Sequence, residues 1–296
     1  MPDSKLSPKV AAILLAFVGL AWGAIPLFVR NDVPATALVG VRVTFGAAVL
    51  VIAAVAFRRF RIPKVRRWRL ILSGLLLTAH WITFFGALKL TTVAVALSVV
   101  YLGPIAASIL SGPILGEQVA PRLWAALSIA GIGTLLVVQP WAVGDGQVSW
   151  EGVAVAALSG ALLATLMIVG KTVAQDLGGL TMAIGELLVA SVVLAPATYQ
   201  ALTEYSEFLL SFLVLGAVFT GLAGFVYWEV FRVLPVAVVS VLMYIEPASA
   251  VVWAALFLDE APSPLTWLGV GFVIVGGAVA ASSAKEGEVR RAHANL

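Results

Sequence analysis

Apolar residues run along this chain in blocks about twenty long, separated by short breaks that carry charge, glycine or proline. Ten such blocks stand out, at roughly 10–29, 35–57, 70–90, 93–115, 123–138, 150–172, 180–202, 208–231, 236–258 and 265–281. Each is long enough, as a helix, to cross a hydrocarbon core of about 30 Å. None alternates apolar and polar positions as a barrel strand would, so helices are predicted to satisfy the backbone inside lipid. The first block follows Lys5 and Lys9 as a signal peptide would. It is too long for one and a second block follows at once, so it is expected to be retained.

The blocks are not independent. Residues 93–121 hold a proline in mid-block, Pro104, and end on Leu115-Gly116-Glu117; residues 236–264 repeat the design with Pro247 and Leu258-Asp259-Glu260. At a fixed offset of 143 positions, 11 of the 41 residues from 93 to 133 meet an identical residue, among them Tyr101, Pro104, Glu117, Pro121 and Gly133. Such self-similarity points to a duplicated unit. Ten spans then divide five and five, and an odd number per unit forces the second to enter the membrane upside down. The predicted fold is an all-α membrane protein of ten transmembrane helices in a 5+5 inverted-topology repeat. Its parts are residues 1–138, a connection at 139–149, the second repeat at 150–284, and a cytoplasmic tail at 285–296. Inverted repeats of this kind place a substrate site near the bilayer midplane, between the halves.

Charge sets the orientation. One set of alternate loops, with both termini, carries fifteen Lys and Arg residues, seven of them between 58 and 69; the opposite set carries only Arg30 and Lys89. By the positive-inside rule both termini are predicted to be cytoplasmic, in a cell (inner or plasma) membrane. The basic run 58–69 is a short loop clamped between spans, which suits a lipid surface and not a nucleic acid. Composition adds exclusions. The chain of 296 residues is 61% hydrophobic and 11% charged, with a mean hydropathy of +1.07. A soluble domain is nearer 25% charged. No cysteine is present, so no disulfide or thiolate chemistry is expected. Gly170-Lys171-Thr172 resembles the end of a nucleotide-binding loop, but Thr165 stands where its leading glycine belongs. No metal, cofactor or catalytic motif is expected, and the protein is expected to work as a monomer.

Ala21-Trp22-Gly23, Val41-Arg42-Val43 and the two proline blocks with their Leu-x-Glu endings resemble the drug/metabolite transporter superfamily, EamA branch. The resemblance covers nearly the whole chain. It implies that helices 1, 3, 4, 6, 8 and 9 line a central cavity, and that a small metabolite is carried, with an exported amino acid foremost and the YddG type of aromatic amino-acid exporter as one candidate relative. Drugs, sugar phosphates and vitamins are the alternative cargoes. An intramembrane enzyme and a non-transporting helical protein are the alternative functions.

Polar residues deep in apolar spans are functional candidates by default. His80 could line the cavity or make an interhelical hydrogen bond. Ser98, Tyr101, Ile105, Ser108 and Gly112 share one helical face, which suits a pore or tight packing; Tyr244 is the repeat mate of Tyr101. Pro104 and Pro247 are candidate hinges or gates, because each removes a backbone hydrogen bond. Glu246 has Gly103 as its mate, so an acid breaks the repeat. It could meet an amino group, carry a proton or pair with a helix. Arg42 and Glu186 occupy near-equivalent places and suit anchors. Trp22, Trp81 and Tyr227 could supply aromatic walls, and Thr165 a small polar contact. Trp68, Trp141 and Trp150 fall at span ends as interface anchors. Glu117 and Glu260 are expected to shape turns, and Gly19-x-x-x-Gly23 and Gly112-x-x-x-Gly116 to pack helices.

Overall fold

A computed structural model describes residues 6–28, 33–59, 67–142, 149–258 and 261–294, with side chains up to 283. Among these, every regular element is helical. The spans are α1 (Pro8–Gly23), α2 (Ala35–Ala56), α3 (Arg67–Leu90), α4a (Val93–Val100) with α4b (Leu102–Leu115), and α5 (Pro121–Val138). The second half holds α6 (Trp150–Leu177), α7a (Gly179–Val193) with α7b (Ala195–Glu204), α8a (Leu209–Gly216) with α8b (Ala223–Phe231), α9a (Val236–Met243) with α9b (Ile245–Phe257), and α10 (Pro264–Ala294). Nine of the described spans are long and apolar enough to cross a membrane, and α7a with α7b makes a tenth, bent by 73°. The seventh block was expected to be one straight span. Pro196, in the first turn of α7b, has no N–H to continue α7a, and the chain turns there.

Local chemistry sets the ends. Pro8, Pro121 and Pro264 open their helices, where a missing N–H costs nothing. Ser7, Thr92, Ser149 and Ser263 accept the orphan N–H of the third residue on. Gly116 closes α4b at φ +70°, with its N–H on Gly112 O and that of Glu117 on Ser111 O. Gly112 and Gly116 are thus a helix terminus and not a packing pair: a side chain on Gly116 would meet nothing. Gly19 and Gly23 do pack, against Ile245, Ser249 and Ala250 of α9b. Trp68, Trp141 and Trp150 sit exposed at span ends, as anchors should.

The duplication is visible in the contacts. We call the side on which α1 begins the N face and the other the far face. α5 and α10 form the most extensive helix pair. A side chain on Gly133 would press on the Gly269 carbonyl at 2.7 Å, and one on Gly276 on the Ala126 carbonyl at 2.9 Å. Position 276 is the repeat mate of 133, and 126 that of 269, so the two contacts are one contact repeated about an axis in the membrane plane. The same axis runs between Tyr101 and Tyr244, whose ring centroids are 5.6 Å apart.

Around that axis the helices form two equivalent groups. α3 and α4 pack on α6, and their counterparts α8 and α9 pack on α1. In the first group Gly103 lies against the Gly160 backbone and His80 bonds Ser159. In the second, Ser249 Oγ donates to Gly19 O at 3.1 Å and Trp253 Nε1 to Leu20 O at 2.8 Å. Across the divide the groups meet substantially only toward the N face, where α4b packs on α9a and α6 on α8b. The mates of the first pair, α9b and α4a, have no comparable contact on the far side among the described residues. The fold is therefore closed at the N face and parted toward the far face.

Candidate functional site

The site begins at the two broken helices. Pro104 and Pro247 do not interrupt a helix in its middle, as the sequence suggested. Each stands third in its half-helix, and the breaks fall at Tyr101 and Tyr244, which cap α4b and α9b. The proline ring lacks the N–H that would bond the carbonyl four residues back. Two other carbonyls at the break are braced from the partner repeat: Tyr244 Oη donates to Tyr101 O at 2.9 Å, and Ser240 Oγ to Pro104 O at 2.8 Å. Tyr244 is 1% exposed, a prop beneath the break, whereas Tyr101 is half-buried, with its ring on Tyr244 and within reach of Glu246.

From Tyr101 a belt of side chains runs through both groups. Trp22 Nε1 donates to Phe219 O at 2.8 Å, and its ring lies 5.5 Å from that of Tyr227. The next residue, Thr220, accepts from Arg42 Nε at 3.2 Å. The Arg42 guanidinium lies over the Trp81 ring, 5.0 Å from its centre, in cation–π geometry. Glu246, half-buried in the first turn of α9b, returns the belt to α1, where Gly23 packs on its carbonyl. Arg42 and Tyr101 each lie close enough to Glu246 to act on it electrostatically. A carboxylate and a guanidinium at mid-depth in a bilayer are costly unless they face protein or water, and the parted side of the divide supplies that setting.

Thr220 carries no strong mark in the sequence as a site residue. It sits in a π-helical turn, Ala217–Leu222, and its hydroxyl donates to Leu215 O five residues back. Gly216 and Gly221 flank it and let α2 approach backbone to backbone at Gly46. The Phe-Thr-Gly step in an otherwise apolar span was the available signal. π-turns often mark functional positions.

Other expected site residues lie elsewhere. His80 is buried, its Nδ1 2.9 Å from Ser159 Oγ and 3.0 Å from Ser159 O, so it ties α3 to α6. Ser98 is half-buried one turn from Tyr101 toward the far face, its hydroxyl bonded back to Ala94 O. Ser108 is fully buried. Thr165 is exposed on the outer stripe with Ala154, Leu158 and Ala161, away from the belt. Its hydroxyl donates to Ala161 O at 2.8 Å, which makes it tolerable against lipid. Tyr227 is buried behind Trp22, against Trp228 and Phe231.

Two acids have structural partners. Glu186 accepts from Trp228 Nε1. Glu117 pairs with the buried Lys171 of α6, and its second oxygen accepts the Val236 N–H at 2.8 Å, where a carboxylate suits the N-terminus of α9a. Lys171 Nζ also donates to Leu234 O at 2.6 Å. This cluster bolts α4b, α6 and α9a together at the N face. Glu260, the repeat mate of Glu117, lies outside the described residues, as do Arg30, most of the basic loop and residues 143–148 of the central connection. A separate groove of about 530 Å³ opens beside α1, α7a and α8b, lined by residues that include Leu14, Thr181, Phe225 and Glu229; none of the expected site residues lines it.

Similarity to known proteins agrees with this architecture. The chain is 26% identical over 245 residues to the threonine/homoserine exporter RhtA of Escherichia coli (strain K12), covering 82% of this chain and 80% of that protein. It is 26% identical to RhtA of Salmonella typhimurium (strain SL1344) over 262 residues, 88% of this chain and 84% of that protein. An uncharacterised transporter of Bacillus subtilis (strain 168), YxxF, is 22% identical, with 93% and 91% covered. A solved crystal structure superposes with a TM-score of 0.79 at 22% identity over 91% of this chain and 97% of that one, which shows the shared fold. The profile of the EamA-like transporter family matches twice, at residues 9–139 and 150–282, once on each five-helix half, and the chain belongs to that family.

Proposed function

We propose that this protein is a secondary transporter that exports a small amino acid, of the threonine and homoserine class, by alternating access at the cavity bordered by Trp22, Arg42, Trp81, Tyr101 and Glu246. The observation that carries the reading is the parted divide between two symmetry-equivalent groups, with opposite charges and aromatic rings at its base. The RhtA exporters, similar over more than 80% of the chain, supply the substrate class. Two near-equivalent halves can exchange conformations: when α4a closes on α9b, the mate contact of α4b on α9a opens. The units that rock are α3, α4 and α6 on one side and α8, α9 and α1 on the other, with Pro104 and Pro247 as hinges. Positive-inside counting places the N face, and both termini, in the cytoplasm of the cell membrane, so the present state is open outward. Binding and release are the whole cycle, with no covalent step and no enzymatic chemistry.

The test is transport. Liposomes holding the purified protein and loaded with unlabelled threonine should accumulate external labelled threonine by exchange, faster than empty liposomes. Equal rates for threonine, homoserine and their neutral homologues in both preparations would refute the reading.

A further inference from the structure

Arg42 and Glu246 lie close enough to act on each other electrostatically, yet among the described residues neither forms an ion pair. Arg42 is 6% exposed. Its Nε donates to Thr220 Oγ1, its plane lies on Trp81, and its two terminal nitrogens have no hydrogen-bond partner among the described residues. Glu246 is half-buried, its carboxylate influenced by Tyr101 and Arg42 but in contact with no cation among the described residues. Two opposite charges kept apart at mid-membrane depth are anomalous. Side chains that needed only each other would close to a salt bridge, because each unpaired charge costs several kcal/mol in a low-dielectric interior.

The repeat sharpens the anomaly. The mate of Glu246 is Gly103 and the mate of Arg42 is Gly185. Gly103 packs on Gly160 and Gly185 on Leu70, so the fold in the other half is built at these positions from glycine. Neither charge recurs at its mate position in the other half, so the duplicated frame itself does not demand it. Each is present in one repeat only, and the two lie within electrostatic reach of each other.

We propose that Arg42 and Glu246 are the two poles of a receptor for a zwitterion: the Arg42 terminal nitrogens bind the α-carboxylate and the Glu246 carboxylate binds the α-ammonium of one amino acid. This rests on the transport reading above and adds to it the assignment of the poles. A guanidinium fixed by Thr220 and Trp81 offers two parallel N–H donors to a carboxylate, the strongest geometry for that pair. Tyr101, on the adjacent wall, lies beside the ammonium pole. A ligand with only one of the two charges would satisfy one pole and leave the other buried without a partner, which is how buried polar sites reject analogues.

The experiment uses the full-length protein in detergent and reads dissociation constants from the shift of its melting point with L-threonine, L-threoninol and 3-hydroxybutyrate. The second lacks the carboxylate and the third the ammonium. The wild type should bind threonine roughly tenfold or more tightly than either analogue, the cost of a lost charged hydrogen bond. Arg42→Gln should erase the preference over threoninol while keeping that over 3-hydroxybutyrate, and Glu246→Gln should do the reverse. Should either variant fail to fold, the wild-type series stands alone, and equal affinity for all three compounds overturns the proposal. It is also overturned if folded variants keep both preferences. Failure of the transport reading looks different: threonine then gives no shift and no exchange in the wild type at all.

Discussion

At the scale of single residues, what decided each role was the partner, and partners are what one sequence does not print. His80 and Tyr101 are both polar residues deep in apolar spans. The structure hands His80 to Ser159, on a helix 79 positions away, and sets Tyr101 on Tyr244, within reach of Glu246. Thr165 looked like a cavity residue by depth alone, but depth does not say which way a side chain points; its own helix supplies its hydrogen bond, so it can face lipid. Tyr244 shares the reading of its mate, yet with only the N face closed the two are unequal, one supporting the other. Removing its hydroxyl should therefore affect stability and spare the cavity. Tyr244→Phe is expected to cost about 1 kcal/mol, the usual net value of one buried hydrogen bond, and to lower the melting point of the detergent-solubilised protein. Thr165→Val, beside it in the same assay, should leave the melting point unchanged. The reverse ranking would mean that the Tyr244–Tyr101 bond does not brace the break.

At the scale of elements, the ten spans and their duplication were legible because lipid enforces them: twenty apolar residues in a row have few other uses. The 73° bend in α7, the π-turn in α8 and the displacement of the helix breaks to Tyr101 and Tyr244 were less legible. The π-turn depends on how closely a neighbouring backbone approaches, as Gly46 does at Gly216 and Gly221, and the prolines announce the bend and the breaks without fixing where they fall. The N-face bolt was hidden too. Lys171 reads in sequence as a loop charge at the end of a span, whereas it is 3% exposed and paired with Glu117 of the other repeat. A buried ion pair is costly to break, about 3–5 kcal/mol when one partner is removed; this one ties α4b to α6, and its two members reach across the divide to Val236 N and Leu234 O, which holds the N-face closure of α4b on α9a. The chain has no cysteine, so Ser240→Cys gives a clean reporter: Ser240 is fully buried at that closure. In a Ser240→Cys background, Glu117→Gln should speed labelling by a maleimide applied at the N face, on the order of tenfold. An unchanged rate would show that the pair does not keep this face shut.

At the scale of the whole molecule, the repeat makes conformation readable from a single state. In an inverted duplication every contact has a mate on the opposite face, and a contact present on one side and missing on the other records which way the protein is open. α4b packs on α9a; among the described residues α4a and α9b have no comparable contact. On the orientation proposed above, the N face with its Lys- and Arg-rich loops is the cytoplasmic one. Ser98 tests both at once. It lies on the same helical face as Tyr101, one turn nearer the far face, and is half-buried where the groups part. Ser98→Cys in intact cells should react with a membrane-impermeant maleimide added outside, and saturating threonine should slow the reaction by closing α4a on α9b. Arg59→Cys, at the N-face end of α2, should react only in inverted vesicles. If Ser98→Cys is reached from the cytoplasmic side alone, the orientation is reversed and the protein faces inward; if threonine leaves its rate untouched, the ligand does not drive the halves to exchange.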